Sequence, residues 1–161
     1  MGNATGVGGF HYVARFGISS ASSVATQRAF VGLYGTATAI GNVDPSTLTN
    51  ILGFAYDAAD SAWAFYHNGA GTNVKDTLTG TFPPRSLSAD LYEIHIYCPA
   101  NAGTVYYSME NLNGGSIYDG SASSNLPSST TLLSPQIWTN NGTTALAAGI
   151  DVISQYIETD F

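Results

Sequence analysis

The chain has 161 residues, of which only 9% are charged, with 4 basic and 11 acidic side chains and a net charge of −7. Its polarity comes from 17 Ser, 17 Thr, 11 Asn and 18 Gly, which leaves little Glu, Lys or Arg to surface ordinary solvated helices. Four scattered cations, Arg15, Arg28, Lys75 and Arg85, are too few to neutralise phosphates, so nucleic acid and anionic membranes are excluded as partners.

Met1-Gly2-Asn3-Ala4-Thr5 lacks the basic start and apolar core of a signal peptide. Residues 1–8 read as a flexible start, or one added in cloning, on a fragment of a longer chain. Phe10 to Phe16 alternates, with Phe10, Tyr12, Ala14 and Phe16 on one face and His11, Val13 and Arg15 on the other, as in a half-buried strand. Ser19 to Ser23 is a small polar loop, and Arg28 to Tyr34 is a second strand stopped by Gly35. Asn42 to Thr47 reads as a turn, or as one helical turn with Asp44 at the N-cap and Pro45 first. Ile51–Asp57 and Ala62–His67 are apolar strands joined by Ala58-Ala59-Asp60-Ser61. Asn68-Gly69-Ala70-Gly71 predicts a tight turn, because Asn-Gly accepts positive φ at both positions, and Val74–Leu78 is its hairpin partner.

Phe82-Pro83-Pro84 breaks the ladder, since proline donates no hydrogen bond. Tyr92–Tyr97 alternates clearly, and Thr104–Glu110 follows the Asn101-Ala102-Gly103 turn. Residues 113–129, rich in Gly, Ser and Asn, read as a long loop. Thr130–Trp138 and Ala145–Ile157 close the chain as strands, the last with a register break where Ile150 and Val152 give way to Ile153. No fixed-period repeat and no splitting linker is present. Nine or ten short strands predict one all-β domain, 1–161, built as an antiparallel β-sandwich of jelly-roll type. No apolar run approaches the ~20 residues of a membrane helix, and no membrane insertion is expected. Cys98 is the only cysteine. That argues against a disulfide-stapled secreted domain but admits an exported or virion protein that folds in a cytoplasm first.

No catalytic constellation is expected. Asp57 and Asp60 flank one turn and are the weak candidates for a hard cation such as Ca²⁺. They lack the dense pattern of a calcium loop, so an Asx turn is preferred and neither metal nor cofactor is expected. Glu93 and Glu110 look outward from their strands and would serve glycoside cleavage only if they faced each other across a groove. His11, His67 and His95 lack ligand spacing, and His67, just before the turn, is expected to be the most accessible. Cys98 has no neighbouring His, Gly8-Gly9 precedes a strand rather than a helix, and there is no Gly-x-Ser-x-Gly elbow. Among aromatics, Trp63 and Phe65 are assigned to the core. Tyr66, His67 and Asn68, with Tyr118 and Asp119 in the 113–129 loop, are the predicted ligand contacts.

Taken in order, several segments resemble a C-terminal domain of tail or collar fibre proteins of tailed bacteriophages. They are Gly9-Phe10-His11-Tyr12-Val13-Ala14-Arg15-Phe16-Gly17, Arg28 to Leu33, Asp57 to Trp63, His67-Asn68-Gly69-Ala70-Gly71-Thr72, Leu91 to Ile94, Leu126-Pro127, Thr131 to Pro135 and Tyr156 to Phe161. The resemblance runs from about Gly8 to the end and rests on order and spacing, not on one motif. It implies a concanavalin-like or jelly-roll sandwich at the distal end of a fibre, a homotrimer, a place in the virion after folding in the host cytoplasm, and a shaft upstream. It carries over no binding residues. The function expected from it is a non-enzymatic receptor-binding (adhesin) domain for a host cell-surface glycan or protein. The alternative is a structural domain that caps a trimer or decorates the virion without binding a receptor. A glycan depolymerase and a non-viral lectin module are further readings.

Overall fold

The computed structural model describes residues 8–20 and 22–159; apart from Gly8, the expected flexible start lies outside the described residues. Ten strands follow the alternation: β1 Phe10–Ile18, β2 Arg28–Tyr34, β3 Ile51–Tyr56, β4 Ala64–Asn68, β5 Val74–Thr77, β6 Leu91–Cys98, β7 Val105–Asn111, β8 Ile117–Ala122, β9 Ser134–Asn140 and β10 Ile150–Thr159. They pair antiparallel in two five-stranded sheets. The first has the order β10-β1-β6-β7-β8 and the second β5-β4-β3-β2-β9. The all-β sandwich expected from the sequence is what forms. One helical turn, Pro45–Thr47, begins after Asp44 as expected, but the Asp44 side chain makes no cap bond. It pairs with Arg28 Nε at 2.8 Å and accepts the Ala58 N–H instead. No helix among the described residues is long and apolar enough to cross a membrane.

The main core lies between the sheets, where inward residues of both meet. From the first sheet come Tyr12, Phe16, Tyr92, Ile94, Ile96 and Met109, and from the second Val31, Leu33, Leu52, Phe54 and Phe65. Trp63 sits among them, edge-on to Tyr56 at 4.8 Å and to Phe16 at 5.3 Å, so its assignment to the core holds. A smaller cluster covers the other face of the second sheet. There Phe30, Ile51, Ala55 and Tyr66 pack with Ile40 and Leu48 from the β2–β3 connection. This connection folds over the sheet, so β3 and β4 are buried on both faces, as the uninterrupted apolar run of β3 requires. Gly53 makes room for the Phe30 ring of that cluster, which a Cβ there would meet at 2.8 Å.

Three elements differ from the sequence reading. The 113–129 segment is not one loop, because Ile117–Ala122 forms β8 against β7. Asn68-Gly69 is not a two-residue primed turn; the last β4–β5 pair is His67 with Val74, and neither residue has positive φ. Gly69 is needed for closeness instead, since a Cβ would lie 2.5 Å from the Leu126 carbonyl oxygen. The last two strands begin later than expected, at Ser134 and Ile150. The register break falls where the sequence placed it: Arg15 pairs with Ser154 and Phe16 with Val152, leaving Ile153 as the bulged residue.

Candidate functional site

Alternation puts every second residue of β1, β6, β7 and β8 on the outer face of the first sheet. The registers align these residues in three rows across the strands. The first runs Glu158, His11, Tyr97, Tyr106 and Ser121. The second runs Tyr156, Val13, His95, Ser108 and Asp119, and the third Ser154, Arg15, Glu93, Glu110 and Ile117.

A polar chain ties the rows together. Arg15 Nε donates to Glu93 Oε2, and this contact holds the Glu93 carboxyl below its usual range, against partial burial and with help from His95. Glu93 is therefore an ionised acceptor, so His95 Nε2 donates to its Oε1 at 3.1 Å. The other ring nitrogen, Nδ1, faces His11 Nε2 at 3.0 Å. The two imidazoles stack with centroids 5.3 Å apart. Burial lowers the His11 pKa, the charge of His95 lowers it further, and Glu158 opposes both.

Beside this chain lies an aromatic platform. Tyr97 is 46% and Tyr106 49% exposed. They are direct cross-strand partners whose rings stack at 6.4 Å, and His11 meets Tyr97 edge-on at 5.9 Å. Shallow depressions lie on both sides of Tyr97. One, about 280 Å³, runs between His95, Tyr97, Tyr106, Ser108 and Asp119. The other, about 190 Å³, lies between Phe10, His11, Tyr97 and Glu158. Half-exposed tyrosine rings can stack on the apolar C–H face of a sugar ring. Asp119, Ser108 and the phenol oxygens can take or give hydrogen bonds to its hydroxyls. Glu93 and Glu110 are neighbours here, but Glu93, held ionised by Arg15, has no proton to give as a general acid.

Of the five predicted ligand contacts only Asp119 stands on this face, beside His11, His95, Glu93 and Glu110, which the sequence offered only as disfavoured catalytic or metal groups. Tyr118 points to the inner side of β8, half-buried, its ring 6.3 Å from that of Tyr107. The expectation that Tyr66, His67 and Asn68 reach solvent is corrected, because all three are buried. Tyr66 belongs to the second cluster, and its hydroxyl donates to Asp60 Oδ2 at 2.5 Å. His67 was expected to be the most accessible histidine. Its ring is instead wedged between the Ser124 carbonyl at 3.1 Å and Asp76 at 3.2 Å. Asn68 Nδ2 donates to the Leu48 carbonyl at 2.7 Å, holding the covering connection to β4.

Asp57 and Asp60, the weak metal candidates, are bridged by Lys75 Nζ at 2.7 and 3.0 Å. They also accept the Ser46 and Asp57 backbone N–H groups. An ammonium thus already balances the charge a cation would answer. Among the described residues no group of three or more His, Cys, Asp or Glu side chains is placed to hold a metal ion. Cys98 is buried, its thiol directed at the Pro99 and Ala102 carbonyls and pushed up in pKa by burial.

The sequence reading missed Tyr97, Tyr106 and the His11–His95 pair. The signal was present: both tyrosines occupy the outward phase of strands whose alternation was clear, where an aromatic ring goes unburied. An apolar depression of about 250 Å³ lies elsewhere, between Phe10, Leu33, Leu133 and Ile157, with Leu132 90% exposed at its rim. It has no titratable lining residue and no exposed aromatic ring, and its polar side chains are Ser129, Thr131 and Thr159.

The chain is similar to several solved structures over nearly its whole length. Lectin UEA-II, complexed with galactose, matches at 14% identity and a TM-score of 0.62, covering 95% of this chain and 72% of that one. Lectin I-B4 from Griffonia simplicifolia, in a metal-free form, gives 14% and 0.60, covering 95% and 72%. Alginate lyase A1-II′, a member of polysaccharide lyase family 7, gives 15% and 0.54, and this chain, 98% covered, spans only 65% of the lyase. No protein-family model matches the sequence, nor does any curated protein. The likeness establishes the fold, an all-β concanavalin-like jelly roll.

Proposed function

We propose that this domain is a non-enzymatic glycan-binding module, the receptor-binding tip of a phage fibre, using the outer face of the first sheet. The observation that carries the glycan reading is the exposed Tyr97–Tyr106 pair, flanked by Asp119, Ser108 and His95. The cross-strand pair steadies the β6–β7 ladder only modestly, and its half-exposed rings offer a sugar ring a stacking surface. Lectins among the similar structures support the same use of the fold, UEA-II holding galactose. The site is open and shallow, which suits weak contacts multiplied by a homotrimer. The fibre-tip assignment, with its place in the virion, rests on the sequence resemblance. The test is binding of the domain to host cells and to immobilised surface glycans, with Tyr97→Ala/Tyr106→Ala as the comparison. Loss of binding with an unchanged melting temperature supports the reading, and unchanged binding refutes it. New reducing ends or unsaturated products from the bound glycan would make it an enzyme.

The second reading, a structural trimer-capping or decorating domain, is favoured by β10. This edge strand leaves Val152, Ile153, Tyr156 and Ile157 exposed without the lysines or prolines that usually guard an edge. Light scattering addresses it: three copies of the 16.8 kDa chain give about 50 kDa. A trimer that binds neither cells nor glycans favours this reading.

A further inference from the structure

The charges on the outer face of the first sheet point to the class of glycan, an inference that rests on the glycan-binding reading above. Its three rows carry four carboxylates, Glu93, Glu110, Asp119 and Glu158, and one permanent cation, Arg15. Arg15 is engaged by Glu93, so it offers no free guanidinium to a sugar carboxylate. That leaves Asp119 and Glu158 uncompensated in the two depressions beside the tyrosines and Glu110 uncompensated in the third row, next to the row of Asp119. While their hydrogen bond holds, His11 and His95 together answer at most one of these charges. Burial and mutual repulsion disfavour a proton on His11, and the His11–His95 hydrogen bond requires that one facing nitrogen carry a lone pair.

We propose that the Tyr97–Tyr106 platform selects an internal stretch of an uncharged polysaccharide and rejects polyuronates and other acidic glycans. The depressions on both sides of Tyr97 suit a chain that continues in both directions rather than a single terminal sugar. Asp119, at the rim of the larger depression, accepts from hydroxyl donors. A ligand carboxylate in the same place would meet like charge from Asp119 and Glu110 within a Debye length.

The experiment measures binding of a neutral galactomannan, a neutral glucan, alginate and polygalacturonate near pH 7.5, at low and high salt. The variants are Glu110→Gln/Asp119→Asn and, as a control, Thr38→Lys/Thr49→Lys, which changes net charge equally at exposed positions on the β2–β3 connection. At low salt at least one neutral polymer binds at least about tenfold tighter than either polyuronate. High salt and Glu110→Gln/Asp119→Asn both narrow that gap, and the control does not. Alginate or polygalacturonate bound as tightly as the neutral polymers overturns the selection while glycan binding stands. A gap closed equally by the control assigns it to overall charge and also overturns the proposal. If no polymer binds, the glycan-binding reading fails with it.

Discussion

His11 and His95, 84 positions apart, share one hydrogen bond at 3.0 Å on the outer face of the first sheet. The bond survives only while one of the facing nitrogens lacks a proton. The His11 pKa lies below its ordinary 6.5, chiefly through burial, so as pH falls the unfolded chain takes up this proton before the folded one. The contribution of His11 to stability is complete above about pH 6.5 and is lost as pH falls through the folded value. Urea midpoints measured from about pH 8 to 5 fall over that window, and His11→Asn flattens the fall. The Glu93 contribution, with a carboxyl pKa lowered by Arg15, is present above its unfolded value and disappears only at lower pH. The two windows are therefore separable.

Gly120 on β8 lies against the ring of Tyr107 on β7. A Cβ at Gly120 would fall 2.5 Å from two of its ring carbons. The ring cannot retreat, because its other face stacks on Phe65 with centroids 3.7 Å apart and its hydroxyl donates to Asp76 at 2.6 Å. Gly120→Ala is expected to cost about 1–3 kcal/mol, as overpacking does, and to loosen β8 with Asp119 on it. Gly103→Ala is the control: nothing lies within 4 Å of its Cβ, so stability holds or rises by about 0.4–1 kcal/mol. Thermal melts of the two variants check both expectations.

The strands most legible in the sequence were those with one wet face. In β1 and β6 the inward set, Tyr12, Phe16, Ile94 and Ile96, alternates with polar residues, so period and phase were both readable. In β3 and β4 both phases are apolar, and nothing local tells which face meets the main core. The second cluster exists because Ile40 and Leu48 fold back over Tyr66, a long-range event that made Tyr66 look free. β8 escaped notice because Gly120 and Ser121 lower strand propensity, while the edge of β7 was there to pair with it. Asp119 was found by composition alone. Tyr97 and Tyr106 become a platform only through the β6–β7 register, and Glu93 joins His95 to Arg15 only through pairing with β1.

Arg85 holds together segments that carry no ladder between them. Its guanidinium donates to the Gln27, Asp57, Ala58 and Asp60 carbonyls and lies 5.1 Å from the Tyr56 ring centroid. A lysine ammonium cannot span that fork of acceptors. Arg85→Lys is expected to destabilise by about 1–3 kcal/mol, because carbonyls of the β3–β4 turn lose donors. Denaturant titration reads the loss directly. A midpoint unchanged from the parent would show that water replaces the guanidinium without cost.

Tyr66→Phe separates stability from recognition. The substitution keeps the ring that packs against Phe30 and Ile51 but removes the hydroxyl that donates to Asp60 at 2.5 Å. Asp60 keeps Lys75 and the Asp57 N–H, so the carboxylate is not orphaned, and the expected cost is about 1–2 kcal/mol. Tyr66 faces the second cluster, on the sheet opposite the platform, so glycan affinity stays as in the parent domain. Tyr97→Ala shows the reverse pattern, because a half-exposed ring contributes little to the core but much to a stacked sugar. Urea midpoints and glycan titrations on both variants give four readings. Binding lost in Tyr66→Phe and kept in Tyr97→Ala would move the site to the second sheet.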